Sequence, residues 1–452
     1  MTTTPATPAE PAQTDATGTG DQPRGDPKPD EHPTTARRGR LYGFRAFRHP
    51  GFRIYFLGML FRGLSMWMPL VAIPWLAVEL GASPAQVGIV TGFFFLPTFF
   101  VGPMGGVLAD RVERRKVLVG AQLFAATLSA LVFVLVVTES QSLPFLMLAS
   151  FGFGLLIAFE VPVRQAFMTE MVPREDISSA ASLHATAWNT TRLLGPVVAG
   201  AMIAAFGSWS PFAFSAVASL LVAASFYWMD RYRQPGRQRA DSSHSVISDL
   251  RGGLAFVGRS PVVRLSLVSI WAAAMFGMAT FSTLAPIYAT EELGLGAEGF
   301  GAFLGASGAG ALTAALLVTA LAHGDRRPWM IAGMLSMSAL VAGIGLVQSS
   351  TLVFVFAFLL GAAQIVLAQN ALISVHSATP DDLRGRVMGV WVMTFQGSSL
   401  FGSFLSGWLA DLLGVRTAML AGALALALIG VGATVAIRRA DWRMAPAKAA
   451  GT

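Results

Sequence analysis

The sequence predicts an all-α integral membrane protein with twelve transmembrane helices, arranged as two six-helix bundles related by a parallel repeat. Three observations predict this fold class. Apolar residues make up 54% of the 452-residue chain, and charged residues only 13%. Twelve apolar stretches are long enough to cross a bilayer. Residues 173–207 align without a gap with residues 380–414, which lie 207 positions further along the chain.

The composition excludes several classes of protein. Soluble proteins carry roughly 25% charged residues, so a soluble chain of this size could not cover its surface with 13%. Cysteine is absent, and none of the patterns H-E-x-x-H, G-x-S-x-G and G-x-x-x-x-G-K occurs. These absences remove the common thiolate, metalloprotease, hydrolase and nucleotide-hydrolysing sites. We therefore expect no enzyme, no cofactor and no metal site.

The predicted membrane helices divide the chain into two bundles, a linker and two tails. The spans are residues 54–78, 87–109, 117–138, 143–163, 178–206, 211–229, 264–289, 299–322, 329–348, 351–373, 385–410 and 417–437. The resulting segments are a disordered cytoplasmic tail, an N-terminal bundle, a cytoplasmic linker, a C-terminal bundle and a cytoplasmic tail: 1–44, 45–230, 231–261, 262–438 and 439–452. The first tail has too few apolar residues to fold. We expect a monomer in the lipid bilayer.

The distribution of basic residues sets the orientation. Of the 32 Lys and Arg residues, 29 lie in the tails and in the loops on the same side as the tails. Arg62 and Arg192 lie inside spans, and Arg416 alone lies on the opposite side. The positive-inside rule therefore predicts a multi-pass protein of the cell membrane with both termini in the cytoplasm. No nucleic-acid partner is expected, because the basic residues are not gathered on one soluble domain.

The internal repeat pairs helix 5 with helix 11. Five positions are identical in the two aligned stretches: Pro173/Pro380, Leu193/Leu400, Gly195/Gly402, Gly200/Gly407 and Gly207/Gly414. A general likeness among membrane helices does not produce aligned glycines and an aligned loop proline. Two halves of six spans in the same orientation form a parallel repeat, whose axis lies along the membrane normal.

Several motifs resemble those of one family. Residues 105–116 read G-G-V-L-A-D-R-V-E-R-R-K, which resembles the major facilitator superfamily signature G-x-L-a-D-r-x-G-r-k between helices 2 and 3. Helix 5 carries N-x-x-R-x-x-G-P-x-x-x-G at 189–200, similar to the helix-5 motif of the drug exporters of that superfamily. With F-R-x-x-F-L-G at 52–58 and P-x-D-L-R-G-R-V-M-G at 380–389, the core resembles the branch that contains siderophore and macrolide exporters. The resemblance implies alternating access and exchange for protons.

The signature-like loop supplies a candidate latch. Asp110, Arg111, Arg114 and Arg115 match the signature, whereas Glu113 replaces its second glycine. Asp110 is placed to accept charge-assisted hydrogen bonds from the arginines and from helix N-termini. We interpret the loop as a latch that joins the two bundles on the cytoplasmic side and opens during alternating access. The alternative is that its basic residues only anchor the topology.

The helix-5 motif supplies a candidate pivot. Gly195, Pro196 and Gly200 give helix 5 small residues in close spacing, which let helix backbones approach, and a proline, which permits bending. We interpret the motif as a pivot packed across the bundle interface, and ordinary helix packing is the alternative.

Three charged residues are predicted inside spans. A charge at the bilayer centre costs roughly 2.5–3.5 kcal/mol on insertion scales, so it should face protein or a wet cavity. Arg192 lies near the middle of helix 5, Arg62 lies in helix 1, and Glu160 lies three residues from the predicted end of helix 4. We expect these three, beside Asn189, to form one coupled polar group in the N-terminal bundle. The alternatives are a structural clamp for Arg192 and contact with lipid headgroups for Glu160.

The remaining candidate residues would line a central cavity: Trp67 of helix 1, Gln364 and Asn370 of helix 10, and Gln396 of helix 11. With no site for ATP hydrolysis, the energy must come from an ion or substrate gradient. The resemblance then implies a secondary active exporter of a hydrophobic or amphipathic small molecule, of the drug, antibiotic or siderophore class, that works in exchange for protons. A facilitator or importer on the same fold, or a non-transporting membrane sensor, remains an alternative.

Overall fold

The computed structural model describes residues 42–101, 113–229, 246–321, 324–380 and 382–439, and all regular secondary structure in these ranges is helical. Four sets of predictions lie outside the described residues: the tail up to residue 41, most of the signature-like loop at 102–112, the first half of the linker at 230–245, and the second tail from residue 440. Residues 42–44 of the predicted tail belong to a short 3-10 helix, Tyr42–Arg48.

Within these ranges, twelve long helices, labelled α1 to α12, occupy the positions of the twelve predicted spans. They are α1 Pro50–Glu79, α2 Pro84–Val101, α3 Arg114–Val137, α4 Leu143–Met168, α5 Ile177–Phe206, α6 Ser210–Met229, α7 Pro261–Glu292, α8 Ala297–Leu321, α9 Arg327–Leu346, α10 Ser350–Ala378, α11 Arg384–Leu413 and α12 Val415–Arg439. Helix α1 begins at the predicted cytoplasmic end of the molecule and ends at the predicted external end.

Ten of the twelve helices are long and apolar enough to cross a membrane, and α5 and α11 are the two that do not meet this criterion. Both are 30 residues long, so length is not the reason. Polar side chains interrupt them, including Asn189 and Arg192 in α5 and Gln396 in α11. These two helices are repeat mates, and each packs between the two halves. Their assignment as membrane spans stays a prediction.

Helix α4 is longer than the sequence predicts. The predicted span ends at residue 163, whereas the helix continues to Met168, because Arg164 finds a buried counter-ion and does not end the apolar segment. Glu160 therefore lies eight residues from the end of the helix, and its predicted position three residues from the end is wrong. Arg164, which the sequence assigns to a cytoplasmic loop, lies within the helix.

The helix packing has the symmetry that the repeat predicts. Within the first six helices, α1 packs on α5, α2 on α4 and α3 on α6; the equivalent pairs in the last six are α7 with α11, α8 with α10 and α9 with α12. Between the halves, the most extensive contacts join α2 to α11 and α5 to α8. These two interfaces are also equivalent, since helices 2 and 5 correspond to helices 8 and 11.

The linker contains a helix, Val246–Arg259, that the sequence analysis treats only as a polar connection. This linker helix packs against α11. Asp249 forms an ion pair with Arg386 at 2.9 Å. Gly253 allows close approach, because a Cβ atom there would lie 2.7 Å from the carbonyl oxygen of Arg386. The second half of the linker is thus anchored to the last six helices.

Candidate functional site

A buried charge cluster joins α1 to α4. The Nε atom of Arg62 donates to both carboxylate oxygens of Glu160 at 2.8 Å, and its Nη2 atom also contacts the carboxylate. Arg164, one turn after Glu160 on α4, places its Nε atom 3.3 Å from the same carboxylate. Glu160 is 0% exposed and both arginines are 4% exposed. Two members of the expected group, Arg62 and Glu160, are therefore in contact, and Arg164 adds a second cation.

Arg164 is the functional candidate that the sequence analysis misses. The spacing E-x-x-x-R places the two side chains on the same face of a helix, but the predicted span ends at residue 163 and so leaves Arg164 outside the membrane. Its Nη1 atom donates to the sulfur of Met59 at 3.0 Å. Its Cζ atom lies 5.9 Å from the centre of the Trp188 ring on α5, at the distance of a cation–π contact. The cluster thus reaches α5 as well.

The cluster carries an excess positive charge. Two guanidinium groups, which stay protonated in proteins, share one carboxylate. A cavity of about 10 Å³, space for roughly one water molecule, adjoins Arg62 and is also lined by Ser65 and Ser215. Ser65 is hydrogen-bonded to Ser215 of α6 at 3.1 Å, so polar contacts continue beyond the ion pairs. Removing one member of such a buried set leaves an unpaired charge or acceptor and is strongly destabilising.

Arg192 lies apart from this cluster. Its Nη2 atom donates to the amide oxygen of Gln364 on α10 at 3.4 Å, so the side chain reaches from the first six helices to the last six. The expected coupled group of Arg62, Glu160 and Arg192 is therefore not formed, because Arg192 points across the interface between the halves. The structure instead brings together Arg192 and Gln364, which the sequence placed in two different groups.

The glycines of the helix-5 motif have two distinct partners. Gly195 faces Trp67 of α1, whose Cβ atom lies 2.5 Å from the position of an added Cβ. Gly200 faces Gly301 of α8, across the interface between the halves, with an added Cβ 2.5 Å from the Cα of Gly301. Pro196 belongs to the same interface, since its carbonyl oxygen lies 2.8 Å from a Cβ built on Gly301.

The repeat mates of these glycines make the equivalent contacts. Gly402 of α11 faces Met275 of α7, as Gly195 faces α1. Gly407 of α11 faces Gly88 of α2, as Gly200 faces α8. A Cβ added to Gly407 would lie 2.8 Å from the Cα of Gly88. Both inter-half contacts lie near the predicted external end, so two symmetric backbone contacts hold this end together.

The latch residues are described only in part. Asp110 and Arg111 lie outside the described residues. Arg114 at the start of α3 donates to Glu170, which follows α4. Arg115 places its Cζ atom 5.0 Å from the ring centre of Tyr227 on α6. These two contacts tie α3 to its own half of the molecule.

The cavity candidates fall into two regions. Gln364 is buried beside Arg192, and Trp67, Asn189 and Gln396 are half-buried. Asn370 is 0% exposed and accepts a hydrogen bond from Arg326 at 3.2 Å, which places it beside the α8–α9 loop. In that loop, hydrogen bonds from the Arg327 side chain hold the pKa of Asp325 below its usual value.

No group of three or more His, Cys, Asp or Glu side chains in the described ranges is arranged to hold a metal ion.

A family profile described as transmembrane secretion effector matches residues 42–449 of the chain. The chain belongs to this family of major facilitator transporters. The helical fold of its described residues and its parallel repeat are those expected of a multi-pass transporter of small molecules.

Three curated relatives are similar to this transporter over most of their length. YfiS of Bacillus subtilis, an uncharacterised MFS-type transporter, is 27% identical over 383 residues, covering 81% of this chain and 88% of YfiS. The multidrug efflux pump Tap of Mycolicibacterium fortuitum is 26% identical, and the match covers 82% of this chain and 91% of Tap. The enterobactin exporter EntS of Shigella boydii is 25% identical, and the match covers 85% of this chain and 91% of EntS.

Solved structures share the fold of this transporter at low sequence identity. A crystal structure of the peptide transporter POT has a TM-score of 0.71 at 14% identity, covering 86% of this chain and 95% of that chain. A bacterial homologue of the human lysosomal transporter Spinster, in an inward-facing and occupied conformation, has a TM-score of 0.67 at 15% identity. The match covers 86% of this chain and 97% of that chain.

The transporter also has an aromatic contact between its halves that the sequence does not predict. Trp75 of α1 stacks on Phe300 of α8, with ring centres 5.5 Å apart and planes at 17°. The indole N–H donates to Glu79 at 2.7 Å, and Glu79 also accepts from Ser208 in the α5–α6 loop at 2.6 and 2.7 Å. The pattern W-x-x-x-E at the end of a helix was the available signal. Glu79 thereby fixes the ring that meets the other half.

Proposed function

We propose that this transporter is a secondary active exporter of a hydrophobic or amphipathic small molecule, which it moves by alternating access in exchange for protons. Export is supported by the named activities of two relatives, a multidrug efflux pump and an enterobactin exporter. The observation that carries the coupling to protons is Glu160, a carboxylate with no solvent exposure that lies between two arginines inside the helices of one half.

Protonation of Glu160 would remove the shared counter-charge of Arg62 and Arg164. A buried cation without a partner is costly, so the protonated cluster would favour a different arrangement of α1 and α4. Arg164 also contacts Trp188 on α5, one helical turn before Arg192. A change in the charge of Glu160 would therefore be felt by the helix that carries both the inter-half hydrogen bond and the inter-half glycine contact.

In the same proposal, residues 45–230 and 262–438 move as the two bundles, with the helix-5 motif as their pivot. The contacts of Gly200 with Gly301 and of Gly407 with Gly88 close the predicted external end, and so does the Trp75–Phe300 stack. Asp110 with its neighbouring arginines acts as the latch at the predicted cytoplasmic end. Opening and closing of the two ends would alternate as the substrate is carried.

Transport in inverted membrane vesicles tests the proposal. Fluorescent amphipathic compounds are supplied outside, and their accumulation is measured with and without an imposed pH gradient that is acidic inside. We expect the wild-type protein to accumulate the compounds only when the pH gradient is present. A Glu160→Gln variant is expected to lose this dependence on the gradient. Accumulation that persists unchanged after the gradient is abolished would point to a facilitator, and uptake only in right-side-out vesicles would point to an importer. No movement of any compound in either orientation would favour a sensor.

A further inference from the structure

Arg192, in the middle of α5, has no counter-ion among the residues that the structure describes. It lies fifteen residues after the start of α5 and fourteen before its end. In the described ranges it makes one hydrogen bond, to the neutral amide of Gln364, and that bond is long at 3.4 Å. Arg62 and Arg164, by contrast, share Glu160. A guanidinium group remains charged in proteins, so the charge of Arg192 is left for another partner to neutralise.

A second unused donor, on α1, packs against α5 about one turn from Arg192. The indole Nε1 atom of Trp67 is buried, and among the described residues it has no hydrogen-bond acceptor. Its neighbouring ring atom, Cδ1, lies 2.7 Å from the position of a Cβ atom on Gly195, three residues after Arg192. Residues three apart on a helix are neighbours on its surface. The glycine thus brings the indole N–H to the helical turn next to the guanidinium.

The net charge of the side chains inside α1, α4 and α5 favours the binding of an anion. In α1, α4 and α5, away from their first and last turns, three cations face one anion: Arg62, Arg164 and Arg192 against Glu160. A cationic ligand beside Arg192 would be repelled, and a neutral one would leave the guanidinium charge uncompensated. An anionic oxygen accepts hydrogen bonds from both a guanidinium and an indole N–H.

The position of Arg192 also suits a transported ligand. Its carbonyl oxygen lies 2.9 Å from a Cβ built on Gly308 of α8, and its side chain meets Gln364 of α10. A ligand held by Arg192 would therefore contact helices of both halves, and its release would accompany their separation. Gln364 acts as a positioning residue, because it orients the guanidinium without supplying charge.

We propose that Arg192 and Trp67 bind an anionic oxygen of the transported molecule, so that the substrates are amphipathic organic anions such as carboxylates or phenolates with an apolar body. The inference rests on the proposed transport function, because it assigns the substrate class of that function. Cationic amphipaths of the same shape are expected to be poor substrates.

Matched fluorescent probes test the charge preference directly. Dansyl glycine, its methyl ester and dansyl cadaverine carry one fluorophore with a negative, neutral or positive group, and coumarin and naphthyl sets of the same design extend the panel to nine compounds. Binding to the purified protein is measured by energy transfer from tryptophan. We expect the carboxylate of at least one set to bind about tenfold more tightly than its ester and amine. Equal affinity across every set, or no binding by any carboxylate, would overturn the assignment.

Variants locate the preference at Arg192. Arg192→Gln is expected to remove the preference for the carboxylate, and Arg192→Lys to retain part of it. Trp67→Phe is expected to weaken carboxylate binding severalfold and leave ester binding unchanged. Arg264→Gln is the matched control, since Arg264 is exposed at the start of α7. A charge preference that survives in Arg192→Gln would place the anion elsewhere and refute the proposal.

Two further measurements separate this inference from its alternatives. A ligand-binding cation that the protein itself leaves uncompensated should not stabilise the empty protein, so Arg192→Gln is expected to match or exceed the wild-type melting temperature. A fall of several degrees would identify a structural clamp instead. In inverted vesicles, export of the esters and amines as readily as the carboxylates would leave the transport function standing and overturn the anionic class.

Discussion

Gly200 of α5 and Gly301 of α8 meet backbone to backbone, with an added Cβ on Gly200 only 2.5 Å from the Cα of Gly301. Real Cβ atoms do not approach a neighbouring backbone so closely, so an alanine here must push the two helices apart. The equivalent contact of Gly407 with Gly88 occurs at the symmetric position between α11 and α2. The predicted external end can close as it does because four backbone positions lack a side chain.

We therefore expect Gly200→Ala to favour opening of the predicted external end. The chain contains no cysteine, so a single Ala297→Cys reporter beside Gly200 can be labelled without background. Labelling of intact cells by a membrane-impermeant maleimide should become severalfold faster in Gly200→Ala, because the closed state loses its close packing. Gly120→Ala is the control, since a Cβ there meets nothing within 4 Å. Unchanged labelling would mean that the interface adjusts by local shifts and does not act as a pivot.

The stack of Trp75 on Phe300 should oppose the same opening. Trp75→Ala removes the ring that crosses the interface and is expected to speed labelling of the Ala297→Cys reporter. Trp75→Phe retains a stacked ring but loses the hydrogen bond to Glu79, so an intermediate rate is expected; aromatic pairs contribute about 0.5–1.5 kcal/mol beyond buried area. Equal rates in the alanine and phenylalanine variants would show that the hydrogen bond, and not the stack, holds this end.

The orientation of the chain is open to a direct experiment. A reporter fused after Arg233 or at Thr452 should have cytoplasmic activity, and one inserted at Glu292 should have external activity, because nearly all basic residues lie on one side. Glu292 pairs with Arg416 at 2.7 Å, so the one basic residue predicted outside has an acidic partner beside it. External activity from the fusion after Arg233 would refute the twelve-span topology.

The sequence predicts the fold well because its signals are global. Membrane helices are recognised by the length of their apolar segments, and the repeat is recognised by its aligned glycines. The contacts of these glycines are equivalent in the two halves. Gly195 and Gly402 face α1 and α7, and Gly200 and Gly407 face α8 and α2. The Arg62–Glu160 pair was also predictable, because each buried charge needs a partner.

The partners of other polar residues depend on helix rotation and on helix ends, which composition does not specify. The expected group joins Arg192 to Glu160 because both lie in the first half, but the Arg192 side chain reaches Gln364 of α10. Arg164 lies outside the predicted span of α4 because a charged residue normally ends an apolar stretch, whereas the helix continues to Met168. Asn370 was assigned to the cavity, although its place on α10 brings it to Arg326 of the α8–α9 loop.

The cluster around Glu160 predicts a ranking of the stability that three variants lose. Glu160→Gln leaves two buried arginines without a counter-ion, and breaking a buried pair in this way costs about 3–5 kcal/mol. Arg164→Met leaves the two-oxygen pairing of Arg62 with Glu160 intact, so it should cost the least. Arg62→Met leaves only the 3.3 Å contact of Arg164 and should lie between the two. Melting temperatures of the purified variants in one detergent measure this order.

Combining variants separates the cluster from Arg192. Adding Arg164→Met to Glu160→Gln should restore part of the lost stability, since one unpaired cation is removed, and the effects should be clearly non-additive. Arg192→Gln should not restore the stability that Glu160→Gln loses beyond its own small effect in wild type, because Arg192 bonds to Gln364 and not to the cluster. In vesicles, Glu160→Gln should exchange substrate but no longer respond to a pH gradient. If gradient-driven transport survives in Glu160→Gln at wild-type rates, the proton must bind elsewhere, and the cluster is reduced to a structural link between α1 and α4.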